Sequence, residues 1–359
     1  MHKLRQYALY FRLAILVVLL FLLNWSIQDQ AAVEQYYSRL FYPIFSEIPK
    51  FLVGWFPWSV GDIVYACLFI FLLCYLFQVI RELVKRNVKL AFQRLLAFVA
   101  AVLSIYLYFN ISWGINYNRT AIAKEMKLDL DTVLLNDHIQ ILTKHIEQVN
   151  ILREKLSFEK YPLSAINEEV MRIMQEDLVF PMLSKTQIQI KSPINNTLAS
   201  YFGVSGYFNP FTHEAHANTQ MPKASYPFMV AHELAHQMGI GFEDECNFIA
   251  YVKLHQQENP KLAYAAYYES VNYLLRSLYL VDQHEFEKMK SLLSEQVLSD
   301  LKEEQKYWKN YTGWLTSLSS LFYDQYLKHN NQAEGMARYG MVSRLIIAYE
   351  VKNNNQSVN

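Results

Sequence analysis

Residues 226–252 read YPFMVAHELAHQMGIGFEDECNFIAYV, with two histidines four apart, a glutamate directly after the first, and an acidic trio one short turn later. On a helix, positions four apart stack on one face. His232 and His236 can therefore present two imidazoles to one metal ion, with Glu233 at an adjacent position. Metal-assisted hydrolysis asks for that set: neutral ligands on a Zn²⁺ ion whose water has a lowered pKa, and a carboxylate to take the water's proton. The bare HExxH pattern arises by composition in roughly one chain in a hundred of this length, so its surroundings decide.

The surroundings favour a buried site. Pro227 stands where a first-turn proline is tolerated. Phe228, Met229, Val230, Ala231, Leu234 and Ala235 make the helix mostly apolar and predict that it is buried. Histidines and a glutamate in such a helix need partners, and a cation supplies one. Gly239 and Gly241 predict a helix stop and a turn. A catalytic zinc takes three protein ligands and keeps one position for water. Glu243, Asp244 and Glu245, opening the next helix, are the candidates for the third.

Outward from the motif, the composition is that of a membrane protein with a soluble part attached. The 359 residues are 52% hydrophobic and 15% aromatic, and only 18% are charged, below the usual quarter for soluble domains. The formal charge of +0 gives no basic face, and no nucleic-acid partner is expected. Of the three cysteines, Cys67 and Cys74 lie in an apolar run, so no disulfide framework is expected.

Three runs, about 7–25, 61–80 and 95–113, are long enough to cross a bilayer as helices. Arg12 can snorkel toward the headgroups. Lys3, Arg5 and the cluster Arg81, Lys85, Arg86, Lys89 and Arg94 predict cytoplasmic ends, because basic loops stay inside. Trp25, Trp55, Trp58 and Trp113 fall at the opposite ends, where amphipathic rings favour the interface. Residues 1–113 then form a membrane domain with a cytoplasmic N-terminus, and the domain 114–350 lies outside the cytoplasm. The tail 351–359 is expected to be disordered.

In 136–157, Ile139, Leu142, Ile146, Val149 and Leu152 step as one face of an amphipathic helix, with His138 and His145 expected on its solvated side. Residues 163–180 form a second helix. TQIQIKS (186–192) alternates like a half-buried strand, and YFGVSGYFNPF (201–211) suits an edge strand with a turn at Asn209-Pro210. The chain is helical from 225 to about 350, which makes the fold α+β and mostly helical. His213, Glu214 and His216 are not expected to converge, since residues three apart on a strand face opposite ways.

The HELAH helix followed by FEDECNFIAYV resembles the zincin metallopeptidases, specifically the gluzincin branch, in which a glutamate on the next helix is the third zinc ligand. That branch's second helix commonly reads E-x-x-A-D or E-x-x-A-N; Glu243, Cys246 and Asn247 occupy those places here. The resemblance implies His232, His236 and Glu243 as ligands of Zn²⁺, Glu233 as general base and Asn247 as support for a zinc histidine, with Glu245 the runner-up ligand. The spacing departs from the branch, because Glu243 is only seven residues beyond His236. Gly239 sits where the metzincin branch has its turning glycine, but Phe242 stands where that branch has its third ligand.

The chain is also similar to an uncharacterised family of bacterial envelope proteins with about three N-terminal spans and a HELAHQ-G motif followed by E-x-E-A-N-F. GYFNPFTHEA (206–215) and YDQYLKHNNQAEG (323–335) share in that likeness. The expectation is a metallopeptidase of the cytoplasmic (inner) membrane, with peptides or proteins as substrates and the lipid bilayer as partner. The rival is a non-catalytic envelope protein that keeps the fold and a structural metal. Along the zincin resemblance, the His213–His216 segment is a candidate for the edge strand that receives substrate. Tyr323, Tyr326, Arg338 and Tyr339 are candidates to stabilise an oxyanion.

Overall fold

The computed structural model describes residues 2–357 other than 132, 159–160, 177–179, 184 and 330–338. Within them the chain is mostly helical with one small sheet, and it divides into two compact units. The first is Met1–Arg119 with Asn209–Glu214; the second is Thr120–Phe208 with Ala215–Asn359.

The first unit is built on α1 (His2–Ser26), α2 (Tyr42–Val53), α3 (Val60–Val84) and α4 (Val88–Ser112). The segments Gln6–Ser26, Val60–Val84 and Val88–Ser112 are long and apolar enough to cross a membrane. Two of their N-termini are capped locally. Ser59 accepts from the Asp62 amide and Asn87 from the Leu90 amide, satisfying first-turn donors that a helix cannot pair internally. Arg12 does not rely on snorkelling alone, since its guanidinium donates to Ser104 Oγ on α4 at 2.8 Å. Residues 30–53, between the first two of these segments, are largely helical. Trp113, expected at the interface, is buried edge-on to Tyr117.

That helical connection is held by Glu34, which accepts from Arg119 Nε and Nη2, both at 2.8 Å, and from Arg39 Nε at 2.8 Å. Burial pushes the Glu34 carboxyl up, but the two guanidinium groups outweigh it and hold the carboxyl below its ordinary range.

The segment Asn209–Glu214 also packs within this unit. Glu214 accepts from the Val60 amide at 3.2 Å and the Gly61 amide at 2.5 Å, placing a carboxylate on the positive end of α3. Ser112 Oγ donates to the Pro210 carbonyl at 2.6 Å and accepts from His213 Nε2 at 2.7 Å. A Cβ on Gly61 would come within 2.4 Å of Asn209 Nδ2 and 2.8 Å of Thr212 Oγ1, so a side chain there would displace both.

The second unit is a helical body with the sheet on it. Its first helices are α5 (Leu135–Glu154) and α6 (Leu163–Gln175). The strands are β1 (Ile190–Lys191), β2 (Gly206–Asn209) and β3 (Glu214–Ala217), in the order β1-β3-β2. β1 and β3 are parallel, with Ile190 opposite Ala215 and Lys191 opposite His216. β3 is therefore central, and the edge place proposed for His213–His216 belongs to β1 and β2 instead. The central helices are α7 (Tyr226–Gln237), α8 (Glu243–Leu254) and α9 (Pro260–Val281). After them come α10 (Glu295–Tyr311), α11 (Trp314–His329) and α12 (Tyr339–Ser357). The last helix runs through Ser357, so the tail expected to be disordered is helical over most of its length.

His138 and His145 are buried, contrary to the sequence expectation. They fall in the same three-and-four stepping as Ile141, Leu142, Ile146 and Val149, so the face against α9 includes them. His138 Nε2 donates to the Leu274 carbonyl at 3.0 Å. His145 bonds Ser270 Oγ at 2.7 Å and the Tyr251 hydroxyl at 3.1 Å, and that hydroxyl donates to Glu350 at 2.7 Å. Burial pushes the His145 imidazole down to about 3, so it serves the core as a neutral group. This network and Lys253, which donates to the last carbonyls of α6, fix α8 from behind.

Removing one member of the Glu34–Arg119 pair tests the frame of the first unit. Arg119→Met leaves the buried carboxylate with only the half-exposed Arg39 and should cost about 3 kcal/mol of stability. Adding Glu34→Gln should restore part of that loss. Thermal unfolding of the full-length protein in detergent reads both variants, and an unchanged midpoint for Arg119→Met would count against this role.

Candidate metal centre

α7 is buried along almost its whole length, with Tyr226, Phe228, Val230, Ala231, Leu234 and Ala235 at 5% exposure or less. Pro227 lies in its first turn, and the Gln237 side chain accepts from the Gln189 amide at 2.8 Å, fixing its far end beside β1. The helix stops where the glycines predict. Gly239 takes a φ of +88°, a left-handed conformation that strains any side chain, while the Gly239 and Ile240 amides donate to the His236 and Ala235 carbonyls. This sharp reversal starts α8 at Glu243 and turns its first carboxylate back onto α7.

His232 Nε2 lies 3.1 Å and His236 Nε2 3.3 Å from the Glu243 carboxylate. Ligand atoms of the three residues fall within 4.8 Å of one another, the one such group of His, Cys, Asp or Glu among the described residues. Each imidazole is oriented through its other nitrogen. His232 Nδ1 donates to Asn247 Oδ1 at 2.8 Å, and His236 Nδ1 donates to the Ile240 carbonyl at 2.8 Å. With Nδ1 so engaged, both Nε2 atoms point at the Glu243 carboxylate and become ligand atoms once they carry no proton. The Cys246 thiol lies 3.3 Å from His236 Nδ1.

The charges in this pocket are interdependent. Burial pulls the His236 imidazole down, but Cys246 and Glu243 beside it hold it well above its ordinary range. Burial pushes the Glu243 carboxyl up, and His236 and His232 outweigh that and hold it well below. Glu233 is pushed up to about 7, chiefly by burial, with the histidines opposing and Glu243 assisting. Its Oε2 atom is buried without a hydrogen-bond partner among the described residues. β2 passes directly over this glutamate: a Cβ on Gly206 would lie 2.7 Å from Glu233 Cγ and Oε1 and 2.9 Å from the His216 carbonyl. Glycine there allows the close approach, and a glycine in a strand is the sequence signal for one.

The other named residues separate cleanly. Glu245 accepts from the Ile122 amide at 2.7 Å, capping the short helix Ile122–Glu125, and does not join the group. His213 and Glu214 serve the first unit as described, and His216 stacks on Tyr207 with ring centroids 4.4 Å apart. Of the oxyanion candidates, Tyr323 reaches the Glu243 carboxylate. Tyr326 lies beside Tyr323, 6.4 Å away between ring centroids. Arg338 and the Tyr339 side chain lie outside the described residues.

Two imidazoles, each a ligand once deprotonated, and a carboxylate form a donor set that suits Zn²⁺. No curated protein and no solved structure matches the chain. The sequence does match, over residues 37–347, a family described as "Protein of unknown function (DUF3810)". With most of its length inside that match, the chain belongs to the DUF3810 family.

Proposed function

We propose that the protein is a zinc-dependent metallopeptidase on a zincin-like domain, anchored by three transmembrane helices in the bacterial cytoplasmic membrane and acting outside the cytoplasm. The observation that carries this reading is the convergence of His232, His236 and Glu243 beside the buried Glu233. His232, His236 and Glu243 would hold the ion, and Asn247 and the Ile240 carbonyl would keep the rings in place. When bound, Zn²⁺ would supply a Lewis acid that polarises a carbonyl and lowers the pKa of a water. Glu233, neither tied to a ligand histidine nor bonded at Oε2, is free to take a proton from that water and return it to the leaving amine. A purely structural site has no use for such a carboxylate. Tyr323, which reaches the Glu243 carboxylate, would donate to charge that develops on the substrate oxygen. The basic residues flanking the spans favour a cytoplasmic N-terminus and an external C-terminal domain.

Metal content and cleavage of a broad peptide library test this directly on the purified full-length protein. About one zinc per chain is expected in the wild type and in Glu233→Gln, with cleavage reduced roughly 10²–10⁴-fold in the variant. Zinc without cleavage in either protein would favour the structural rival, and absence of zinc would end the proposal.

Asn247→Ala should weaken zinc affinity about 10–100-fold, read by competition with a chromophoric chelator. Affinity should also fall with pH. His236, held protonated well above its ordinary range in the metal-free protein, must lose its proton to become a ligand. Each proton released weakens binding by up to about tenfold per unit of acidification. A chelator titration from pH 7.5 to 5.5 checks the sign, and a pH-independent affinity would contradict the assignment.

A further inference from the structure

α11 (Trp314–His329) has its polarity reversed. The residues it turns toward its own unit are Leu315, Thr316, Ser319, Ser320 and Asp324, all partly covered. Thr316 Oγ1 donates to the Tyr201 carbonyl at 2.9 Å, and Tyr323, on the same side, reaches Glu243. Its outward stripe is apolar: Trp314, Leu318, Leu321 and Phe322 are 74%, 42%, 66% and 69% exposed. No Asp, Glu, Lys or Arg occurs from Thr312 to Tyr323. Leu198 and Phe202, next to the Tyr201 contact, extend the exposed apolar surface. A surface helix in water shows the opposite arrangement, with its apolar stripe inward.

We propose that the outward face of α11 lies in the headgroup–acyl boundary of the lipid bilayer. The chain supplies this surroundings itself, because three of its helices are long and apolar enough to span a membrane. The second unit starts at Thr120, eight positions after Ser112 at the end of α4. Eight residues reach roughly 28 Å at most, so the second unit is tied by a short link to the helices that could span a bilayer. Trp, Leu and Phe on one face suit that boundary, where an indole is favoured and charge is not required. The polar side of the helix then stays on the protein, with Tyr323 held against Glu243. This placement does not depend on metal or catalysis.

The test uses the full-length protein in lipid nanodiscs. Emission from Trp314 is isolated as the difference between the wild type and Trp314→Phe, since the chain has 6 tryptophans. In lipids brominated near the top of the acyl chain, this difference should fall by more than half, and aqueous iodide should leave it unchanged. Phe322→Trp, as a second reporter on the same stripe, should add emission with the same behaviour. Quenching by iodide but not by bromolipid would put the helix in water and overturn the proposal. Shielding from both quenchers would mean that protein, a second copy or a bound polypeptide covers the face, and would overturn it equally. His232→Ala measured in parallel should keep the lipid quenching, so loss of the metal reading and loss of this one are read separately.

Discussion

Burying several ionisable side chains in one apolar helix pair is the constraint on which the second unit depends. A lone carboxylate or imidazolium in such surroundings costs several kcal/mol, so His232, Glu233, His236 and Glu243 are tolerable only as a compensating group. The bonds from the two Nδ1 atoms fix both ring orientations, and the geometry then leaves two Nε2 atoms and one carboxylate facing one another. Neighbouring features serve that arrangement. Gly239 makes the reversal that returns Glu243 to the histidines, and Gly206 gives Glu233 room beneath β2. Lys253 and the His145–Tyr251–Glu350 network hold α8 from the far side, so the carboxylate is positioned by rigid elements rather than by a loop.

The motif helix, its stop at the glycines and the three apolar helices were legible because each rests on local periodicity or local turn chemistry. The choice between Glu243 and Glu245 was not legible from spacing. Two residues on one helix point in different directions, and only the partner of Glu245, the Ile122 amide 123 positions away, shows which one is engaged elsewhere. His138 and His145 were misjudged because the eye follows aliphatic residues. The stepping that selects Leu142 and Val149 also passes through both histidines, and a neutral imidazole with a fixed partner is an acceptable core residue. The helices between α1 and α3 leave no long apolar run in the sequence, because their helical face is stitched by Glu34, Arg39 and Arg119.

His213 and Glu214 teach a similar lesson. Their side chains carry chemistry that elsewhere binds metals, but their partners are backbone groups and hydroxyls. The Glu214 carboxylate answers the unpaired amides of α3, and the His213 imidazole answers Ser112. Both arrangements satisfy groups that would be costly to bury alone. Sequence reading could not supply their real roles, because the partners lie about 100 to 150 positions away.

The elements that reach the candidate centre differ in what holds them. α7 and α8 are locked by burial and by hydrogen bonds on both sides, so their geometry is set by the fold. α11 has no buried residue among its described side chains, and one of its contacts with the body is the bond from Thr316 to the Tyr201 carbonyl. An element with so little packing lies at the low-stability end of a structure, and its position is sensitive to whatever solvates its outer face. In water, the apolar stripe favours collapse or displacement; in lipid, the same stripe holds the helix in place. Tyr323 belongs to this element and to no other, so among the groups at the centre it is the one whose placement responds to the bilayer.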